Sequence, residues 1–272
     1  MPCPVRWRYR PAFVCPAATA PDARRHPAWL PAIASASKSA APAECVRCAC
    51  RRGLIRTVRN VAQTEVMPRF LRVGKTRKDD GSLFTDADLC CQQALQRELP
   101  AILPYPVLGE EMTREEQDAL WADNQDGLWV VDPIDGTTNF VNGLPYFAIS
   151  VALMVRGVSE LGVIFNPVSG EMFYARRGHG AYLNGTPLPL KNTRNSMGDA
   201  IAAVEIKYLR SGKLAARMNS VAPFGSQRSM GSSTLDWCFL AAGRYDLYLH
   251  GGQRLWDYAA GAVILEEAGG KI

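Results

Sequence analysis

A layered α/β fold, with sheets covered by helices, is what this chain of 272 residues predicts. Three observations predict it. Hydrophobic residues make up 47% of the chain, enough for a sizeable core in one large domain or two small ones. From Gly53 onward, apolar residues recur first at helical spacing and then in short strand-like runs joined by Gly-containing turns. The last third alternates strand and helix, the order that places helices against sheets. No internal repeat is present.

The elements follow in order. Residues 1–52 are rich in Pro, Ala and Arg without periodicity, and read as a poorly ordered or non-native extension. They are Arg-rich and acid-poor like a transit peptide, but their eight prolines oppose the amphipathic helix that such peptides use. Order is expected to begin near Gly53, with Leu54, Val58, Val61, Ala62 and Met67 at helical spacing as far as Val73-Gly74. A charged loop, 75–82, precedes Thr85-Asp86-Ala87-Asp88. There Thr85 or Asp86 caps a helix carrying Leu89, Ala94, Leu95 and Leu99. Pro104 and Pro106 stop that pattern before a short strand, Val107-Leu108, that ends in Gly109-Glu110-Glu111. Thr113 with Glu116 has the form of a capping box.

A buried strand, Leu128 to Val131, then breaks at Asp132-Pro133. Proline forces its predecessor into extended backbone, so Asp132 is presented at the strand tip. Strands are expected at 147–155, 160–165 and 171–175, with turns at Pro167-Val168-Ser169-Gly170 and Asn184-Gly185. Strands at 200–206, 224–229 and 245–249 are expected to alternate with helices at 209–220, 232–242 and 256–268. One folded domain over 53–272 follows, with subdomains of about 53–190 and 191–272.

Charge is unevenly placed. The formal net charge is +5, but residues 1–52 hold nine Lys/Arg against two Asp/Glu, which leaves the remainder at −2. Bulk charge of the body therefore gives no support to nucleic-acid binding. Five of eight cysteines lie in the first 50 residues. Cys45, Cys48 and Cys50 are half of a zinc pattern without a second half. Cys90, Cys91 and Cys238 read as reduced, buried thiols suited to a cytosol. No apolar run reaches the length of a membrane span.

Several chemistries are excluded. The chain has only His26, His179 and His250, so a Ser-His-Asp or Cys-His system has little to build on. Neither a P-loop nor a dinucleotide-binding glycine pattern occurs. With so little histidine, a metal would be a hard cation held by oxygen. Four acidic groups sit where an element begins or ends: Asp88, Glu110/Glu111, Asp132/Asp135 and Asp257. Singly, each is explained as a cap or a solvated loop residue. Together they form a cage for two or three Mg²⁺ ions, self-repelling without cations. Gly136 and Thr137, just beyond Asp135, offer close backbone approach and a hydroxyl to a phosphate.

The motifs G-E-E at Gly109–Glu111, W-V-V-D-P-I-D-G-T-T-N-F at Trp129–Phe140 and W-D-Y-A-A-G-A-V-I-L-E-E-A-G-G at Trp256–Gly270 resemble the inositol monophosphatase family of Mg²⁺-dependent phosphomonoesterases. T-D-A-D at Thr85–Asp88 and G-S-S at Gly231–Ser233 extend the resemblance, which runs from about Gly53 to Ile272. It implies an αβαβα sandwich and hydrolysis of a polyol or sugar phosphate monoester, inositol monophosphate foremost, by metal-activated water. It implies Glu110, Asp132 and the Ile134 carbonyl around one Mg²⁺, and Asp132, Asp135 and Asp257 around a second. Gly136 and Thr137 are implied at the phosphate, and Asp88 with Thr137 at the attacking water. Lys78 falls where related bacterial sequences place a lysine near the metals.

Gly231, Ser232 and Ser233 fall in the sugar-facing turn. His250 stands where the family often has an acid that contacts inositol hydroxyls. Arg254 adds a guanidinium suited to a second phosphate or a nucleotide. Other substrates therefore compete: 3′-phosphoadenosine phosphate, fructose bisphosphate and histidinol phosphate. A non-catalytic, transcription- or RNA-associated binding role is the alternative from another class. A homodimer is implied; a membrane or nucleic-acid partner is not expected of the catalytic body. Family members usually continue past A-G-G with a further strand and helix, so one sheet edge is expected to lack its cover.

Overall fold

The structure, a computed structural model, describes residues 46–72, 76–77, 83–191, 196–205, 216 and 223–272. Helix α1 (Val46–Val61) starts seven residues before Gly53 and buries Leu54, Val58 and Val61, an i, i+4, i+7 stripe. It runs on through a π turn (Ala62–Val66) into a 3₁₀ turn (Met67–Arg69). Regular α geometry ends at Val61, and Pro68, which has no N–H to donate, falls in the first positions of the 3₁₀ turn. A short hairpin pairs β1 (Thr76–Arg77) with β2 (Leu83–Phe84), where a loop is expected from sequence.

Helix α2 (Asp86–Ile102) opens on the expected cap. Thr85 Oγ1 accepts the Ala87 amide at 3.2 Å, and Asp88 Oδ2 accepts the Thr85 amide at 2.8 Å. Its buried face is Ala87, Cys91, Ala94, Leu95 and Leu99. Helix α3 (Arg114–Asp123) has the reciprocal Thr113–Glu116 box and lies on the surface.

One seven-stranded sheet dominates, in the order β3 (Val107–Gly109), β4 (Leu128–Asp135), β5 (Ala148–Val155), β6 (Val158–Asn166), β7 (Glu171–Arg176), β8 (Ala181–Leu183), β9 (Thr186–Pro187). Only β3 and β4 pair in parallel; the rest form an antiparallel meander whose tight turns include Asn184-Gly185. The strand runs of β4 and β5 are buried on both faces. On one face lie α1 and α2, sealing a core around Trp129, Phe140, Phe147 and Ile149.

The other face carries α5 (Ser233–Ala241) and α6 (Leu255–Glu267). Both are apolar nearly all round, as a helix between two sheets must be. They cross closely at Gly261, where an added Cβ would lie 2.4 Å from Trp237 Cβ. Beyond them is a parallel three-stranded sheet, β11 (Ser226–Arg228), β10 (Ile201–Glu205), β12 (Leu247–His250). Its Ala203 and Tyr248 face α5 and α6, while Ala202, Val204 and Phe224 form a separate cluster on the opposite side. The described residues thus stack as helix, sheet, helix, sheet. The helix expected over 209–220 lies outside the described residues except for Ala216, which is helical. Lys78 also lies outside them. No helix among the described residues is long and apolar enough to cross a membrane.

Candidate functional site

Strand β4 delivers the first two acids, and a bulge decides how. Side chains alternate along a strand, so residues three apart normally point to opposite faces. Here Asp132 pairs with Ser150 and Asp135 with Ala148, three steps on β4 against two on β5. The extra residue restores the same side for both acids. Pro133 sits within this irregularity, where a missing ladder donor does least harm. Its carbonyl accepts the Cys91 thiol at 3.3 Å, tying the bulge to α2.

The third acid comes from 122 positions downstream. Asp257 lies in the first turn of α6, and its Oδ2 accepts the Arg254 amide at 2.6 Å. Ligand oxygens of Asp132, Asp135 and Asp257 all lie within 4.8 Å of one another. Glu110 follows β3, the parallel neighbour of β4, and its amide donates to the Val131 carbonyl at 3.2 Å. Gln117 Nε2 pins that turn through the Gly109 and Glu110 carbonyls, and Gln92 Oε1 accepts the Glu111 amide at 2.8 Å.

Burial pushes the Asp132 carboxyl well above its ordinary range, and the charges of Glu110, Asp135, Asp257 and Asp88 push it further. Asp257 is raised by burial and then by Asp135, against the Arg254 amide. Asp135 is also raised by burial, against the donors that hold it. Asp132 Oδ1 is buried without a hydrogen-bond partner. A buried carboxylate oxygen left bare among other carboxylates is costly unless a proton or a cation meets it. An all-oxygen set without sulfur or imidazole fits a hard divalent ion such as Mg²⁺.

Beside the cage, Asp88 Oδ2 accepts the Thr85 amide and hydroxyl, while Oδ1 lies 3.3 Å from the Thr137 hydroxyl. Thr137 Oγ1 also reaches the Ile134 carbonyl at 3.0 Å. Asp88, Ile134 and Thr137 therefore form one connected group next to Asp132 and Asp135. Gly136 turns the chain with φ +90°; an added Cβ would meet the Tyr146 carbonyl at 3.0 Å, besides the strain of that conformation. The short helix α4 (Thr137–Val141) follows.

The Gly231-Ser232-Ser233 turn is brought to the same place. Ser232 Oγ, the Thr234 amide and Thr234 Oγ1 each donate to Asp135 Oδ2 at 2.6 Å. The Ser232 hydroxyl is thus engaged by Asp135, and Ser233 Oγ accepts from Tyr248 Oη at 3.2 Å. Asn139 Nδ2 donates to the Tyr146 and Met230 carbonyls at 2.6 and 2.7 Å, joining the Gly136 turn to the Gly231 turn. His250 ends β12, with Nδ1 accepting the Gly252 amide at 3.1 Å.

Sequence reasoning passes over Thr234, Asn139 and the Tyr146–Asp236 pair, whose hydroxyl-to-carboxyl distance is 2.9 Å. Thr234 carries one local signal, its place just past an N-cap serine. The Asn139–Met230 and Tyr146–Asp236 bonds span 91 and 90 positions, and no spacing rule reaches that far.

Known proteins share both sequence and shape with this chain. Nus factor SuhB of Pasteurella multocida (strain Pm70) is 36% identical over 200 residues, covering 72% of this chain and 73% of the relative. Nus factor SuhB of Escherichia coli (strain K12) is 40% identical over 167 residues, and this alignment spans 60% of that relative's length. The solved structure of the Thermotoga maritima IMPase superposes with a TM-score of 0.68 at 31% identity, covering 79% of this chain and 82% of that one. Residues 44–272 match the model of the inositol monophosphatase family, and the chain belongs to that family.

Proposed function

We propose that this chain hydrolyses a phosphate monoester of a polyol or sugar with Mg²⁺, inositol monophosphate being the first substrate to test. The observation that carries this reading is the bare, buried Oδ1 of Asp132 inside the Asp132–Asp135–Asp257 cage. Asp132, Asp135, Asp257, Glu110 and the Ile134 carbonyl are the groups to hold two or three ions. Mg²⁺ bound there supplies Lewis acidity and neutralises charge at the phosphoryl group and the leaving oxygen.

The chain's own groups do the rest. Gly136 and Thr137 receive the phosphate oxygens at the turn beyond the acids. The Thr137 hydroxyl, held between the Ile134 carbonyl and Asp88 Oδ1, orients the attacking water. Asp88 takes that water's proton, acting as general base. Thr234 and Ser232 hold Asp135 beside the cage through its Oδ2. Substrate hydroxyls meet the Gly231–Ser233 turn and His250. A homodimer in a reducing cytosol belongs to the same reading. Cys50, Cys90, Cys91 and Cys238, the cysteines with described side chains, are free thiols, which suits that compartment.

The test is phosphate release from inositol 1-phosphate, 3′-phosphoadenosine phosphate, fructose 1,6-bisphosphate and histidinol phosphate, with and without Mg²⁺. Turnover that requires Mg²⁺ and ranks inositol 1-phosphate first is expected. If no ester turns over with Mg²⁺ present, the reading is wrong.

A further inference from the structure

The charge that sequence reading gives to the N-terminal extension is in part built into the fold. Helix α1 carries five arginines, Arg47, Arg51, Arg52, Arg56 and Arg59, and no acidic residue over its 16 positions. Residues 62–272 hold 20 Lys/Arg against 24 Asp/Glu, so the rest of the body is acidic and this helix is its basic exception. Arg52, Arg56 and Arg59 follow an i, i+4, i+7 row and are exposed, with Asn60 and Gln63 on the same face of a shallow surface depression. From Arg52 to Arg59 is about 10 Å of helix. That is the axial rise of about three phosphates along one nucleic-acid strand.

At the edge of the row, Arg51 stacks on Tyr174 at 5.4 Å and reaches Tyr182 at 5.9 Å, and the two tyrosine rings stack on each other. Arg59 lies over Phe165 at 5.9 Å. These contacts hold Arg51, beside the row, and Arg59, its last member, against rings of the β-sheet. The apolar side of the helix is closed to other uses: Leu54, Val58 and Val61 are buried in the core. An interfacial membrane helix needs that side free. The cations are all arginine, whose fork pairs with phosphate in two hydrogen bonds and stacks on bases, as lysine does not. Asn60 and Gln63 add amides that donate and accept at base edges.

We infer that the outer face of α1 binds the phosphate backbone of a single-stranded nucleic acid through Arg52, Arg56 and Arg59. This face is separate from the acidic cage, and the inference does not depend on the phosphatase reading.

The test titrates a fluorescently labelled 20-nucleotide single-stranded RNA with the full-length chain, read by anisotropy in 50–200 mM KCl without divalent ions. Saturable binding is expected, weakening about 20-fold across that range, as three phosphate contacts require. The triple variant Arg52→Glu, Arg56→Glu, Arg59→Glu is expected to bind at least about tenfold more weakly at 50 mM KCl, with a flatter salt dependence. The matched triple Arg97→Glu, Arg114→Glu, Arg156→Glu makes the same charge change at exposed arginines elsewhere and is expected to bind as the parent does.

Replacing the α1 row by lysine should keep most of the salt-dependent binding. Melting temperatures of all variants are measured alongside; if the glutamate row unfolds, the milder row Arg52→Gln, Arg56→Gln, Arg59→Gln takes its place and is expected to bind at least about fivefold more weakly than the parent at 50 mM KCl. Three results would overturn the inference: no binding at 50 mM KCl, equal loss in both glutamate triples, or binding to phosphatidylserine vesicles but not to RNA.

Discussion

Two buried carboxyls, Asp132 and Asp236, meet the same desolvation in different company. Both are nearly inaccessible, and burial is the first cause that raises each above the ordinary carboxylate range. Asp236 sits where α5 meets β5. Tyr146 Oη donates to it at 2.9 Å, and its carboxyl is pushed up to about 8. A proton is all it needs. Asp132 faces Glu110, Asp135, Asp257 and Asp88, and one of its oxygens has no partner. A proton would relieve only one member of that set, whereas divalent cations neutralise several at once. Burial is therefore common to the two carboxyls; the number of like charges gathered round each is what differs.

The largest expected effect is on Asp132. In Asp132→Asn, phosphate release should fall by about three orders of magnitude or more, the scale of losing a group that organises the transition-state charge. The metal-free variant should nevertheless melt higher than the parent at pH 8, because a crowded buried charge is gone. A variant that keeps its activity, or that melts lower, would break the contrast between the two sites.

Metal comes next. Folded-state pKa values of Asp132, Asp135 and Asp257 are all raised, so their stabilising contribution is complete at low pH and is lost as pH rises through the shifted values. The metal-free chain should therefore be more stable at pH 5 than at pH 8. Mg²⁺ binds the ionised form, so at a hundred times its Kd it should add about 2.7 kcal/mol at pH 8, several degrees in Tm. Asp132→Asn should largely abolish that shift, as calorimetric melts with and without Mg²⁺ would show.

A smaller effect sharpens the other half. The raised pKa of Asp236 gives stability that is full below about 4 and lost progressively up to about 8. Asp236→Asn keeps an acceptor for Tyr146 without the ionisation, so its stability should fall less between pH 5 and pH 8. The difference should be of the order of 1–3 kcal/mol, with the Mg²⁺ shift unchanged. Denaturant titrations at both pH values read this directly. The smallest effect belongs to Tyr146→Phe, about 1 kcal/mol for one buried hydrogen bond, again without change in metal response.

What the sequence discloses divides along the same line. Local rules reach the Thr85–Asp88 cap, the Thr113–Glu116 box, the Asn184-Gly185 turn and the apolar β4 strand, because each depends on neighbours within four or five positions. The Asp-Pro pair reads as the end of a strand with Asp132 at its tip; β4 instead runs on to Asp135, because a bulge keeps it paired with Ser150 and Ala148 and turns Asp135 to the same side. The start of α1 is hidden because Arg-rich, acid-free composition reads as extension, while Leu54 and Val58 anchor the helix further on. The donors that fix Asp135 come from Ser232 and Thr234, nearly a hundred positions away. Only the fold brings them together.

The most direct test of the account is anomalous diffraction from crystals soaked in Mn²⁺, an oxygen-seeking stand-in for Mg²⁺. The account predicts a strong anomalous peak bridged by the Asp132, Asp135 and Asp257 carboxylates, lost in crystals of Asp132→Asn. Carboxylates at their present spacing with no peak between them, or manganese bound only elsewhere, would contradict it.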